Sequence, residues 1–91
     1  MMAKEKVDTV REYLRKEFPE KIVKERFEDS LQVQLFYLSG ENIGVVVKRR
    51  FLENNSVPKI SKHLERSRLN ELLKKGKSQI LIGNDGKLTI L

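Results

Sequence analysis

The sequence predicts an α+β protein in which two helices pack on one face of a five-stranded sheet. Three observations support this: an amphipathic segment at the start of the chain, three short segments joined by brief loops, and a second helical segment followed by a hairpin signal. In chain order the elements are α-β-β-β-α-β-β. Short connections favour an antiparallel meander and a C-terminal hairpin. A chain of 91 residues predicts a single domain over residues 1–91.

The first helix is predicted over residues 4–18, where apolar side chains recur every three or four positions. Pro19 ends it, because the residue before a proline avoids the helical conformation. The apolar stripe consists of Val7, Val10, Leu14 and Phe18.

Three strands are predicted next, over residues 22–27, 31–38 and 43–51, joined by turns at residues 28–30 and 39–42. The turns are too short for a crossover connection, so neighbouring strands should be antiparallel. These three strands form the predicted meander.

The second of these strands shows the clearest alternation, and we expect its odd-numbered residues to face the helices: Leu31, Val33, Leu35 and Tyr37. The other side of the sheet is then an open face that still carries apolar side chains. Such a face is typical of a surface that pairs with another protein or with a second copy of the chain. The interface candidates are Phe36, Leu38 and Val46.

The stretch VVVKRRF, residues 45–51, places three cations directly after a buried strand. If Val47 and Phe51 face the core, strict alternation points Arg49 inward as well. Three interpretations remain open. Arg49 extends past the edge of the core with its head in water, or a bulge resets the alternation, or Arg49 is buried and paired with an acid. The candidate acids are Glu17, Glu25 and Glu53.

The second helix is predicted over residues 57–75, with Pro58 in its first turn, where a missing N–H is not needed. Two short strands follow over residues 79–82 and 87–91, and the turn at residues 83–86 is a strong hairpin signal. The apolar face of the helix consists of Ile60, Leu64, Leu69, Leu72 and Leu73.

Composition excludes several chemistries. The chain has no cysteine, which excludes disulfides, thiolate metal sites and cysteine nucleophiles. It has no apolar signal-peptide core and no apolar stretch of membrane-spanning length, so we expect a cytoplasmic protein with no membrane partner. His63 is the single histidine, and no nucleophile pair or ligand cluster accompanies it. We therefore expect no enzymatic activity, cofactor or metal.

The charge distribution indicates an anionic partner. The net charge is +6; residues 1–45 hold eight Lys/Arg against nine Asp/Glu, whereas residues 46–91 hold eleven against four. Such asymmetry is typical of a surface that binds acidic proteins, phosphorylated ligands or nucleic acid. Four of the candidate residues form one stripe along the second helix. The candidate binding residues are Lys48, Arg49, Arg50, Lys59, Lys62, His63 and Arg66.

In element order alone, the chain resembles three classes: restriction-type nucleases, double-stranded RNA-binding domains and the small dimeric secretion chaperones that bind proteins. Val46-Val47-Lys48 stands where the nucleases carry a Glu-x-Lys motif, and it lacks the acid. Pro58-Lys59-Ile60-Ser61-Lys62 matches the RNA-binding motif only in scattered lysines. No family is identified by motif, and element order does not define function.

Together these features predict a small binding module without enzymatic activity. We expect it to bind an acidic protein surface or a second copy of itself through the open sheet face and the basic second half of the chain. Binding to the DNA or RNA backbone through the basic strand-3 and helix-2 surface is the alternative.

Overall fold

The described part of the chain, residues 4–39, 43–75 and 79–91, forms four helices and a five-stranded sheet in the computed structural model. The α+β class predicted from the sequence is confirmed. Residues 40–42 of the predicted hairpin loop lie outside the described residues. The elements are α1 Lys4–Glu17, β1 Val23–Glu28, β2 Val33–Leu38, β3 Ile43–Lys48, α2 Arg49–Glu53, α3 Val57–Arg66, α4 Leu69–Lys75, β4 Gln79–Ile82 and β5 Leu88–Ile90.

The strands lie in the sheet in the order in which they occur in the chain. β1, β2 and β3 form an antiparallel meander, and β4 and β5 form an antiparallel hairpin, both as predicted. β4 runs parallel to β3, so the sheet is mixed. A parallel pair is possible at this point because the connection between β3 and β4 carries helices and is long enough to cross the sheet.

The helices pack on one face of the sheet and form the hydrophobic core with it. The central strands contribute alternate residues to this core: Val45 and Val47 from β3, and Ile80 and Ile82 from β4. α1 packs against α3 across the top of this layer. The helical members of the core are Val10, Tyr13, Leu14, Phe51, Leu52, Ile60, Leu64, Leu69 and Leu73.

The orientation predicted for β2 is wrong. Phe36 and Leu38 are 1% and 2% exposed and belong to the core, so they are not interface residues. Tyr37 is 37% exposed on the opposite face, and Leu31 is 65% exposed in the turn before β2. Of the three predicted interface residues, Val46 alone lies on the open face.

Strand pairing explains this orientation. Directly paired residues of antiparallel strands share a face, and Phe36 is paired with Val45 while Gln34 is paired with Val47. Both valines face the helices, so Phe36 does too, and Gln34 is buried along with it. Each set of alternate residues in β2 contains enough apolar side chains to fill a core. Alternation within the strand therefore could not choose between them.

The predicted third strand is too long, because the chain leaves the sheet after Lys48 and forms α2. The N–H of Arg49 still donates to the carbonyl of Gln32 at 3.0 Å, which extends the pairing by one step. The helical turn then carries Phe51 and Leu52 into the core. Strand alternation predicted that Arg49 points inward, but the strand ends at Lys48, so this rule does not apply to Arg49.

The side chain of Arg49 is partly exposed, at 34%, and is held from two sides. Its Nη1 donates to Gln32 Oε1, and its Nε lies 3.2 Å from Glu53 Oε2. Glu53 was one of the three candidate acids, but the pair forms along α2, at positions i and i+4, and not in the interior. The sequence left open whether the strand continues past the core or contains a bulge. Neither occurs, because α2 begins at Arg49.

The predicted second helix, residues 57–75, is two helices, α3 and α4. With α1 and with α2, which forms at the end of the predicted third strand, the described chain has four helices where two were predicted. Ser67 Oγ donates to the carbonyl of Leu64 at 3.1 Å, and Arg68 adopts a φ of 58°. Leu64 and Leu69 are five positions apart, which places them about 140° out of phase on a continuous helix. The break turns the chain so that both leucines face the core.

Tyr13 links the first and last helices. Its hydroxyl accepts a hydrogen bond from the N–H of Asn70 at 3.0 Å, and Asn70 Nδ2 donates to Glu17 Oε1 at 2.5 Å. The N–H groups in the first turn of a helix have no partner within the helix, so α1 supplies a cap for α4. Burial raises the pKa of the Tyr13 hydroxyl above its ordinary value.

Replacing Tyr13 with phenylalanine is expected to lower the free energy of unfolding by about 1–3 kcal/mol, because the buried N–H of Asn70 loses its acceptor. Tyr37→Phe is the matched control, since the Tyr37 hydroxyl has no hydrogen bond to the described residues. Urea denaturation measures both. The raised pKa of Tyr13 means that its contribution is lost as the pH rises above about 10. Equal stabilities of the two variants would contradict the capping role.

Candidate binding surfaces

The face of the sheet opposite the helices, which we call the open sheet face, has an apolar centre. Leu35, Val46 and Leu81 are neighbours in register on β2, β3 and β4 and form a row across the sheet. All three are half-buried, and none belongs to the core cluster on the helix side. The open sheet face is defined by Leu35, Tyr37, Val46 and Leu81, and Val33 lies on the same side of the sheet but is only 2% exposed.

Cations flank this apolar centre. Lys24 is paired in register with Tyr37, Arg26 with Leu35, and Lys48 with Val33, so each cation shares the open sheet face with its apolar neighbour. One acid, Glu28, lies on the same face, where its Oε2 is 3.5 Å from Arg26 Nη2. The rim contributed by β1 and β3 therefore carries three positive charges and one negative charge.

The ring of Tyr37 lies against Gly44 on the neighbouring strand. The two residues are directly paired, and a Cβ at position 44 would lie 3.6 Å from Tyr37 Cδ1 and 2.8 Å from the carbonyl oxygen of Phe36. The second distance is too short for any side chain. Tyr37 remains 37% exposed on the open sheet face, beside Lys24 of the edge strand β1.

The predicted cations of the strand end lie in a cleft of about 410 Å³, which we call the β3-end cleft. It forms where β3 passes into α2, next to the turn between β4 and β5. Its polar lining is Gln32, Lys48, Arg49, Arg50, Glu53 and Asn84.

The predicted cations of the second helix lie in a separate cleft of about 240 Å³, which we call the α3 cleft. Asp85 from the β4–β5 turn contributes a carboxylate to it. Asn84 and Asp85 are adjacent in the chain, so this one turn separates the two clefts. Besides Asp85, the polar lining is Asn55, Lys59, Lys62, His63 and Arg66.

His63 holds the β4–β5 turn in place. Its Nε2 lies 2.6 Å from the carbonyl oxygen of Gly86, which makes Nε2–H the donor, and its ring is 5.3 Å from the ring of Phe51. Gly86 has a φ of +88°, and a Cβ there would lie 2.8 Å from His63 Nε2. One ring nitrogen of His63 is thus committed to the fold and unavailable to a ligand.

The seven predicted binding residues therefore form two groups on either side of the β4–β5 turn, and each group includes an acid, Glu53 or Asp85. Sequence reasoning missed Leu81 and assigned Val33, Leu35 and Tyr37 to the wrong face. Placing the even-numbered residues of β2 in the core would have assigned these residues to the open sheet face. The signal for Leu81 is weak, because it lies between two isoleucines that both face the core.

Comparison with known proteins finds no relative: no family model, no curated protein and no solved structure matches this chain. Within residues 4–39, 43–75 and 79–91, no helix is long and apolar enough to cross a membrane. In the same residues no group of three or more His, Asp or Glu side chains is placed to hold a metal ion. The function is therefore inferred from the surfaces described above.

Proposed function

We propose that this protein is a small binding module without enzymatic activity whose open sheet face binds an acidic protein. The observation that carries the proposal is the row Leu35–Val46–Leu81, which no described helix covers and which is flanked by Lys24 and Arg26. An apolar patch with a polar rim is the usual composition of a protein interface.

The two parts of the surface have different roles. Removing apolar area from water contributes about 25 cal/mol per Å², so the row and the ring of Tyr37 supply most of the affinity. The rim cations select the partner and speed its approach, because charge complementarity acts on specificity and on association rate more than on affinity. The expected partner presents apolar side chains surrounded by Asp or Glu.

Charge favours an acidic partner over a second copy of the chain. Two open sheet faces packed together would each bring Lys24, Arg26 and Lys48 against one acid, Glu28. Juxtaposed like charges weaken an interface, and an acidic surface would instead neutralise the rim. Self-association through this face is consequently the weaker of the two protein-binding hypotheses.

One observation favours a second candidate, binding to nucleic acid: Tyr37 is an exposed aromatic beside Lys24, which is the pairing that stacks a base and holds a phosphate. We rank it second because two other aromatic residues, Phe36 and Tyr13, are buried and cannot stack on a base. The basic side chains are also divided between two clefts that contain Glu53 and Asp85.

The proposed function includes a cytoplasmic location, which is consistent with the absence of cysteine.

The test uses a synthetic peptide of alternating leucine and glutamate, about ten residues long, the length of a strand. We expect it to bind the protein more tightly than a leucine–lysine peptide or an oligothymidylate of similar length, as measured by fluorescence anisotropy. The double variant Leu35→Thr/Leu81→Thr should bind at least about tenfold more weakly, because the row loses its apolar surface. Val57→Thr, which alters an exposed apolar residue of α3, is the matched control.

Three outcomes would contradict the proposal. The first is equal binding of the leucine–glutamate and leucine–lysine peptides. The second is an equal loss of affinity in Val57→Thr and in the double variant, with folding of both verified by circular dichroism. The third is tighter binding of oligothymidylate, abolished by reversing the charges of Lys59, Lys62 and Arg66 to Glu, which would establish the nucleic-acid alternative.

A further inference from the structure

We propose that the β3-end cleft is a binding site for a small phosphate monoester. The cleft has a volume of about 410 Å³, within the range of about 300–1,000 Å³ that is typical of small-molecule sites. Its cations are three consecutive residues, Lys48, Arg49 and Arg50. They lie where β3 ends, at Lys48, and α2 begins, at Arg49. The change from strand to helix turns successive side chains around a common space.

Two of these cations are uncompensated. The side chains of Lys48 and Arg50 form no ion pair or hydrogen bond with the described residues, whereas Arg49 has Glu53 Oε2 at 3.2 Å from its Nε. The cleft therefore carries two positive charges in excess. A phosphate monoester carries a charge of about −1.5 to −2 at neutral pH, which matches this excess, whereas a phosphodiester carries a single negative charge.

Arg49 is preorganised to donate to such a ligand. Gln32 adopts a φ of 53°, its Nε2 donates to the carbonyl oxygen of Asp29 at 2.6 Å, and its Oε1 accepts from Arg49 Nη1. Glu53 lies on the other side of the guanidinium. A side chain fixed in this way loses little conformational freedom when a ligand binds, and guanidinium groups suit phosphate oxygens.

The β4–β5 turn adds a neutral donor. Asn84 lines the cleft with an amide that makes no hydrogen bond to the described residues. The hydrogen bond from His63 to Gly86 holds this turn against α3, and the His63 ring also contacts Phe51 of α2. Amide and guanidinium donors around two free cations form a site for the terminal phosphate group, and the remaining volume accommodates the organic part of the ligand.

The experiment is a titration of the ¹⁵N-labelled protein with phenyl phosphate and with inorganic phosphate, followed by NMR at constant ionic strength. We expect a dissociation constant below about 1 mM and shifts of the Arg50 and Asn84 signals. Dimethyl phosphate, a diester, should bind at least about tenfold more weakly. Lys48→Gln/Arg50→Gln should reduce phenyl phosphate binding at least about tenfold, while the matched control Lys74→Gln/Lys75→Gln on α4 should not.

Equal binding of the diester and the monoester would overturn the proposal, and so would equal losses in the two double variants. Shifts spread over all cationic residues would show general charge attraction and would overturn it as well. This site shares Lys48 with the rim of the open sheet face, but it contains none of the three residues of the row. The Leu35→Thr/Leu81→Thr variant is accordingly expected to bind phenyl phosphate as the unaltered protein does, so failure of one proposal is distinguishable from failure of the other.

Discussion

Replacing Phe36 with alanine is expected to lower the free energy of unfolding by about 3–5 kcal/mol. The side chain is 1% exposed and lies in the core, on the face of the sheet that packs against the helices. Its removal leaves a cavity that the surrounding residues can fill only in part, so lost transfer energy and lost packing add together. Domains of this size have a total stability of about 5–15 kcal/mol, so the variant should lose a large share of it.

Tyr37→Ala is the matched control, because the two residues are adjacent in the chain but lie on opposite faces of the sheet. We expect it to cost about 1 kcal/mol or less, as is usual for partly exposed positions. Phe36→Leu keeps most of the volume and gives a measurable value if the alanine variant does not fold. Urea denaturation compares the variants. A larger loss for Tyr37→Ala than for Phe36→Ala would restore the orientation that alternation alone predicted.

Replacing Gly86 with alanine is expected to cost about 1–3 kcal/mol or more. The φ of +88° is strained for any residue with a Cβ, and strain of this kind costs about 1–3 kcal/mol. The new Cβ would also lie 2.8 Å from His63 Nε2 and 3.1 Å from Phe51 Cε1. These rings would have to move, and the hydrogen bond from His63 to the turn would be lost with them.

Gly83→Ala provides the control for that variant, since it alters the other glycine of the same turn. Its Cβ would meet Asp85 Oδ1 at 3.4 Å and the carbonyl of Lys87 at 3.6 Å, which are ordinary contacts. We expect a change within about 0.5 kcal/mol, read from thermal unfolding by circular dichroism. If Gly86→Ala were as stable as Gly83→Ala, His63 would not hold the turn in the way described.

The parts of the fold that the sequence could predict are those determined by local chemistry. The β4–β5 hairpin follows from Gly83-Asn84-Asp85-Gly86, where glycine supplies the positive φ, and β4 has the bounds that were predicted. Ser56 caps α3 by accepting a hydrogen bond from the N–H of Lys59. Signals of this kind involve residues within four positions of each other and need no knowledge of the rest of the chain.

The parts that could not be predicted depend on contacts between distant residues. The face of β2 is set by the pairing of Phe36 with Val45, nine positions away, and by the helices that cover that side. The position of the Arg49 side chain depends on Gln32, because the backbone N–H and the Nη1 of Arg49 both donate hydrogen bonds to that residue. Neither partner can be identified from alternation or propensity, because several registers satisfy the same pattern.

The candidate site shows the same division. The basic character of the second half and the cations of VVVKRRF could be read from the sequence. Their separation into two clefts could not, since it arises from the β4–β5 turn, which inserts Asn84 and Asp85 between α2 and α3. The open sheet face itself was expected, but its composition changed with the orientation of β2, and Tyr37 replaced Phe36 as its aromatic residue.

The measurement that tests the central claim most directly is a methyl NMR titration with the leucine–glutamate peptide, on protein labelled in its leucine and valine methyl groups. We expect the signals of Leu35, Val46 and Leu81 to shift in a saturable way, while those of Leu14 and Val47, which are buried in the core on the helix side, stay in place. Oligothymidylate should cause smaller shifts. An unchanged set of open-face signals at saturating peptide, or shifts confined to residues around Lys59 and Arg66, would contradict the account.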